Sequence, residues 1–174
     1  MLEYWIWLAT RQGLNKRKQY ELLQHFGDPE AVYRSFAQAE DLQQAQQILN
    51  RCREQGIQLL TLEDPRYPQR LKAIPDPPVL LYYKGTLPDF DVLPAIGVVG
   101  TRKCTPYGLS AAKKFGHEIA SCGGILVSGL AEGIDAMAAG VDFYSRAMAM
   151  ERALPNNIFR LLKFGKLESG TVCN

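Results

Sequence analysis

The chain has little of what reactive sites are usually built from. It carries only two histidines and four cysteines in 174 residues. His25 and His117 have no ligand or base partner at useful spacing, which argues against histidine-based catalysis. Cys52, Cys104, Cys122 and Cys173 show no C-x-x-C spacing, so no metal site and no disulfide framework are expected, and the thiols read as reduced. No run approaches the roughly 18 apolar residues of a membrane span. Leu2–Ala9 is apolar, but no basic segment precedes it and no cleavage pattern follows, so no secretory signal is expected. Excess charge is also missing. Twenty Lys and Arg stand against 18 Asp and Glu, and the first 140 residues balance. Any nucleic-acid contact must therefore come from locally placed cations and not from a global field. Neither G-x-G-x-x-G nor G-x-x-x-x-G-K-[ST] occurs, which excludes a standard dinucleotide fingerprint and a P-loop.

What is present centres on AIGVVGTRKCTPYGLSAAKKFGHEIASCGGILVSGLAEGID, Ala95 to Asp135. Ala95–Val99 has the size of a buried strand. Gly100-Thr101-Arg102-Lys103 interrupts it. Thr105 stands at a helix N-cap and Pro106 at the first helical position. Gly108, Ala112, Phe115 and Ile119 then share one helical face. Cys122-Gly123-Gly124 stops this helix. Ile125-Leu126-Val127 starts a second strand, Ser128–Gly133 forms a second loop, and Ile134-Asp135 opens another helix. Such a unit requires a parallel sheet, with both loops at the carboxyl ends of neighbouring strands, where open α/β sheets bind ligands. Each loop also feeds a helix N-terminus, which favours an anion. The expected site is a phosphate cleft built from Gly100, Thr101, Arg102, Lys103, Tyr107 and Gly108 on one side, and Ser128, Gly129, Leu130, Ala131 and Gly133 on the other. Gly100, Gly129 and Gly133 would let a phosphate approach the backbone, and Arg102 would supply a planar fork of donors. Tyr107 could stack on a base or pack on the sheet. Asp135 could cap backbone N–H groups or act as a general base. Lys113 and Lys114 read as the wet side of the helix.

Residues 1–56 read as a small helical domain. Leu2, Trp5, Ile6 and Ala9 make one apolar face, and Tyr20, Leu23 and Phe26 make another within Lys16–Phe26. Gly27 caps that second helix. Asp28-Pro29-Glu30 signals the start of the next, and Asp41–Gln55 suggests a further helix. The hairpin Leu22–Val32 resembles helix–hairpin–helix modules that hold DNA phosphates, with a plain turn in a small bundle as the alternative. Ile57–Leu62 and Val79–Tyr83 read as strands that extend the main sheet. Gln69–Ile74 is a short helix between them, and Leu87–Pro94 is a linker. Residues 57–140 form the expected α/β core. Residues 141–174 form a divergent tail with a weak helix signal at Phe159–Gly165.

VVGTR, PYG and VSGLAEGID, preceded by YPQRLKAIPDPPVLLYYKG at Tyr67–Gly85, resemble the DNA-processing protein A family (DprA, also called Smf) over roughly Leu2 to Ala138. The resemblance implies a Rossmann-like parallel sheet after a small SAM or helix–hairpin–helix-like domain. It implies a cytoplasmic protein of natural transformation that binds single-stranded DNA, helps load a RecA-type recombinase, works as a homodimer and is not an enzyme. No cofactor and no membrane contact are implied. The pattern departs from the family at Ala139, where a histidine is usual, so a truncated or divergent C-terminus is expected. Two alternatives rest on the same residues. One is a phosphoribohydrolase of the lysine-decarboxylase-like group, whose P-G-G-x-G-T motif is lacking although Glu132 lies in a loop. The other is a non-functional fragment that retains a protein-interaction module.

Overall fold

The protein is seen in a computed structural model that describes residues 1–36 and 42–140. The tail 141–174, with its expected helix at 159–165, lies outside the described residues. The chain divides into two compact units, the first being Met1–Lys84 and the second beginning at Gly85.

The first unit opens with four helices, α1 (Leu2–Thr10), α2 (Lys16–Phe26), α3 (Pro29–Ser35) and α4 (Gln43–Glu54). Their ends follow from local chemistry. Asn15 caps α2 by accepting from the Lys18 amide at 2.9 Å. Gly27 takes φ +87° and returns its amide to the Leu23 carbonyl at 2.8 Å, a left-handed ending that disfavours a side chain. Asp28 accepts from the Ala31 amide at 2.8 Å with Pro29 at the first position of α3, as the Asp-Pro-Glu signal predicts. The core gathers Trp5, Ile6, Leu8, Leu23, Val32, Ile48, Leu49 and Cys52. Trp7 meets Tyr33 edge-on at 5.0 Å between ring centroids, and the Arg11 guanidinium lies 4.2 Å from the Phe36 ring centre. Phe26 is not part of the core, being 37% exposed. Gln19 is buried on α2 instead, and its side-chain amide donates to the carbonyls of Leu14 and Ala9.

Two strands complete this unit, β1 (Gln58–Thr61) and β2 (Leu80–Tyr83), with α5 (Gln69–Lys72) between them. They pair antiparallel, Leu60 opposite Leu81. Both strands lie where the sequence puts them, but their partner differs from the expectation. They form a two-stranded sheet of their own and do not extend the later one. All of β2 is buried, with Tyr67 beneath it donating its hydroxyl to the Pro78 carbonyl at 2.8 Å.

The second unit holds β3 (Ala95–Gly97), α6 (Pro106–Ser121), β4 (Ile125–Val127) and α7 (Ile134–Ala138). β3 and β4 pair in parallel, with Ile96 opposite Leu126. Strand, helix and parallel strand make the expected Rossmann-like unit. The chain as a whole is α/β, with the helical part first. Thr105 caps α6 through the Gly108 amide at 3.1 Å and Pro106 occupies the first position, as expected. The buried face of α6 differs from the expected one. Phe115 is 61% exposed, whereas Ala112 and Gly116 are buried. The reason is α7, which packs directly on this face. A Cβ placed on Gly116 would lie 1.8 Å from the Ala138 carbonyl oxygen, so the helix backbones approach closely only where a side chain is missing. Ile96, Val99 and Val127 keep substantial apolar surface exposed beside the sheet.

Candidate functional site

Parallel pairing puts the loop after β3 and the loop after β4 at the same end of adjacent strands. They are tied there by Asp135. Its side chain is 5% exposed, and Oδ1 accepts the Gly100 amide at 2.8 Å across 35 positions of sequence. Its Oδ2 lies 3.4 Å from where a Cβ on Gly129 would stand. A second tie runs from the Ile134 amide to the Thr101 carbonyl at 3.3 Å. The capping role considered for Asp135 is therefore the one it has, but it caps the neighbouring loop and not its own helix.

This arrangement corrects two expectations about the glycines. The Gly100 amide is spent on Asp135, so it is not available to a phosphate. The bare Cα at Gly100 makes room for Ile134, whose Cβ would sit 2.6 Å from an added one, and not for a ligand. Gly133 serves the same end. A Cβ there would fall 2.4 Å from the Thr101 carbonyl oxygen and 2.7 Å from the Cys104 sulfur, and its φ of +95° disfavours any side chain. α7 has only five residues, so the second loop feeds a helix too short for much of a dipole.

The loop surface carries the remaining candidates. Arg102 and Lys103 are exposed, and neither forms an ion pair among the described residues. Thr101 shapes their turn, with Oγ1 accepting the Lys103 amide at 3.1 Å while the Cys104 thiol donates to the Thr101 carbonyl at 2.9 Å. The amides of Arg102 and Gly129 have no intramolecular partner among the described residues. In the second loop Ser128 Oγ accepts the Leu130 amide at 3.3 Å, and Leu130 holds φ +52°. A branched residue in that region is strained, a condition that surrounding structure must enforce. Ala131 supports α7 by accepting the Ala136 amide at 3.1 Å. Gly108 is committed to the Thr105 cap. Tyr107 is 83% exposed. It does not pack on the sheet, which leaves its ring open to stacking. Glu132 is exposed. Among the described residues His117 reaches Ser121 Oγ at 3.4 Å, and His25 lies edge-on to Phe26. Among the described residues no three His, Cys, Asp or Glu side chains gather as a metal would require, and no helix is long and apolar enough to cross a membrane.

Two loops lie at one end of a parallel strand pair, with exposed cations on the first and a strained turn in the second, in a Rossmann-like strand–helix–strand unit. The chain belongs to the DNA recombination-mediator protein A family, whose model matches residues 58–154. The match begins at β1, after the four helices, and continues past Ala138. The DNA processing protein DprA of Bacillus subtilis is 42% identical over 90 residues, covering 52% of this chain and 30% of that protein. Protein Smf of Synechocystis is 41% identical over 93 residues, covering 52% of this chain and 23% of its own length. The chain thus spans less than a third of these curated relatives. The X-ray structure of DNA processing protein A from Streptococcus pneumoniae matches with a TM-score of 0.58 at 25% identity, over 88% of this chain and 55% of that one.

Proposed function

We propose that the chain binds single-stranded DNA for recombination, using the surface made by Thr101–Lys103 and Ser128–Ala131 to hold the phosphate backbone. The observation that carries this reading is the pair of exposed cations, Arg102 and Lys103, without ion-pair partners among the described residues, on a loop that Asp135 clamps beside the second loop. Arg102 grips phosphate through its fork of donors, the amides of Arg102 and Gly129 add neutral donors, and Tyr107 stacks on an adjacent base. Such contacts position a strand without reading its sequence. The role is binding and not catalysis. A RecA-type recombinase is the partner to which the strand is passed, a second copy of the chain is the partner in a homodimer, and the cytoplasm is the compartment.

Fluorescence anisotropy with labelled oligothymidylate and a mixed-sequence strand, at several salt concentrations, tests this. Arg102→Ala should weaken both strands alike and lower the magnitude of the salt slope by about 1. Unchanged affinity and slope in this variant would remove the assignment.

A further inference from the structure

The strand pair of the second unit has an open side. Parallel strands are normally buried on both faces, yet every residue of β3 is exposed, and so are Val92, Leu93 and Val99 to either side of it. The bonding pattern shows which edge is bare. The Pro94 carbonyl accepts the Ile125 amide at 2.8 Å, and the Val98 amide donates to the Val127 carbonyl at 2.8 Å, so positions 94, 96 and 98 face β4. Alternation turns the N–H and C=O groups of Ala95, Gly97 and Val99 to the other side. Those groups have no hydrogen-bond partner among the described residues. Edge strands are ordinarily shielded by charge, proline or a bulge. Residues 95–99 include no charged residue and no proline. In a doubly wound sheet the first strand of the unit lies inside, with a neighbour on each side. Among the described residues β3 has β4 alone.

The ends of this edge indicate what fits it. Asp89 and Asp91 lie in the turn before β3, and Arg102 and Lys103 in the loop after it, all four exposed. Asp91 and Lys103 each stand six positions from Gly97. The stretch is therefore acidic at one end, apolar in the middle and basic at the other. A second copy laid antiparallel about a two-fold axis matches it end to end. With Gly97 at the axis, Ala95 meets Val99 of the other copy and Ile96 meets Val98, a register in which the outward groups of each strand face those of the other. The pairing closes about six main-chain bonds. A Cβ on Gly97 would meet nothing within 4 Å, so the space beside it is open to a second backbone. We propose that β3 is the self-association surface of this chain: two copies pair their β3 edges antiparallel and join the two strand pairs into one sheet. The acidic turn of each copy then lies against the cationic loop of the other. An unrelated strand would satisfy the same main-chain bonds, but the matched charged ends favour a second copy. The inference gives a surface to the second copy proposed above and rests on that part of the reading, not on DNA binding.

The test is sedimentation velocity together with amide hydrogen exchange on the full chain, without DNA, from low micromolar to millimolar concentration. A weak dimer should form, since a short strand edge sits at the small end of specific interfaces. The Gly97 and Val99 amides should exchange freely in dilute solution and gain protection as the dimer forms. The Val98 amide, already bonded to Val127, should change much less. Gly97→Pro removes a donor that the single chain does not use and should weaken association about tenfold or more. Asp91→Lys should weaken it about fivefold, and adding Lys103→Asp should restore it. That rescue separates pairing from a merely structural effect, and these exposed exchanges decide the matter if the proline variant does not fold. A chain that stays monomeric at millimolar concentration overturns the surface together with the second copy. A dimer that leaves these amides unprotected and ignores all three substitutions overturns the surface alone and leaves the homodimer standing. Protection already complete at the lowest concentration would mean that the edge is covered within one chain. Protection raised only by added oligothymidylate would assign the edge to DNA. Either result overturns the pairing.

Discussion

The clamp between the two loops makes a sharp prediction. Asp135→Ala removes the acceptor from the Gly100 amide and leaves it only solvent to bond. A hydrogen bond to a charged acceptor is worth about 1.5–3 kcal/mol, which corresponds to roughly a tenfold to hundredfold shift in a local opening equilibrium. Asp135→Asn keeps an acceptor oxygen but loses the charge, so its effect should be near the neutral value of about 1 kcal/mol, or roughly fivefold. Native-state hydrogen exchange followed by NMR reads this directly. The Val98 amide, bonded to the Val127 carbonyl at 2.8 Å, is the internal control, since it belongs to the strand pair and not to the clamp. Gly100 should accelerate in the order wild type, Asn, Ala, with Val98 much less affected. Equal acceleration at both amides would mean that the substitution loosens the whole unit. No acceleration at Gly100 would mean that the clamp has no energetic weight. Either result refutes the reasoning that Asp135 sets the loop geometry. Because the loops also carry the proposed DNA contacts, oligothymidylate affinity should fall in the same order.

Gly116→Ala tests the α6–α7 contact. Alanine normally favours a helix interior by up to about 1 kcal/mol, but here its methyl meets the Ala138 carbonyl, and the forced separation should leave a net loss of about 1–3 kcal/mol. Urea unfolding followed by circular dichroism measures it, and a stabilised variant would contradict the packing described. In the first unit, hydrogen bonding from the Arg66 side chain holds the Asp64 carboxyl below the ordinary carboxylate range. A lowered folded-state value means this contribution is complete above about pH 4 and is lost as the pH falls through the folded value. Tryptophan fluorescence from the buried Trp5 and Trp7 reports that unit, and Asp64→Asn should flatten the acid limb of its stability. An acid limb identical in both proteins would show that the pair adds nothing.

Much of the architecture is written in short-range signals. Thr105-Pro106 and Asp28-Pro29 name their helix starts because a cap and a fixed φ are properties of neighbouring residues. Ile125–Val127 reads as a strand because three apolar residues follow a glycine stop. What was illegible depends on partners distant in sequence. Nothing near Leu60 or Leu81 says that their strands pair with each other and not with Ala95–Gly97. Helical periodicity puts Phe115 on the buried face, but the burial of Gly116 is decided by the backbone of α7, some twenty positions on. The site follows the same pattern. The residue types around Gly100 and Gly129 suggest loops at the strand ends, and the loops lie there, yet the recipient of the Gly100 amide is Asp135, and no spacing rule links the two. The positive φ at Leu130 has no signature in sequence, since leucine is not a residue chosen for it.

The bare positions at Gly116 and Gly133 bear on how substitution data should be interpreted. In a saturation scan both columns should register as intolerant to almost every amino acid, although neither offers a functional group to a strand or a partner. Depletion there would record the clearance between one stretch of main chain and another. Arg102 should show the opposite profile, with survival of the fold after nearly any exchange and loss confined to the binding readout.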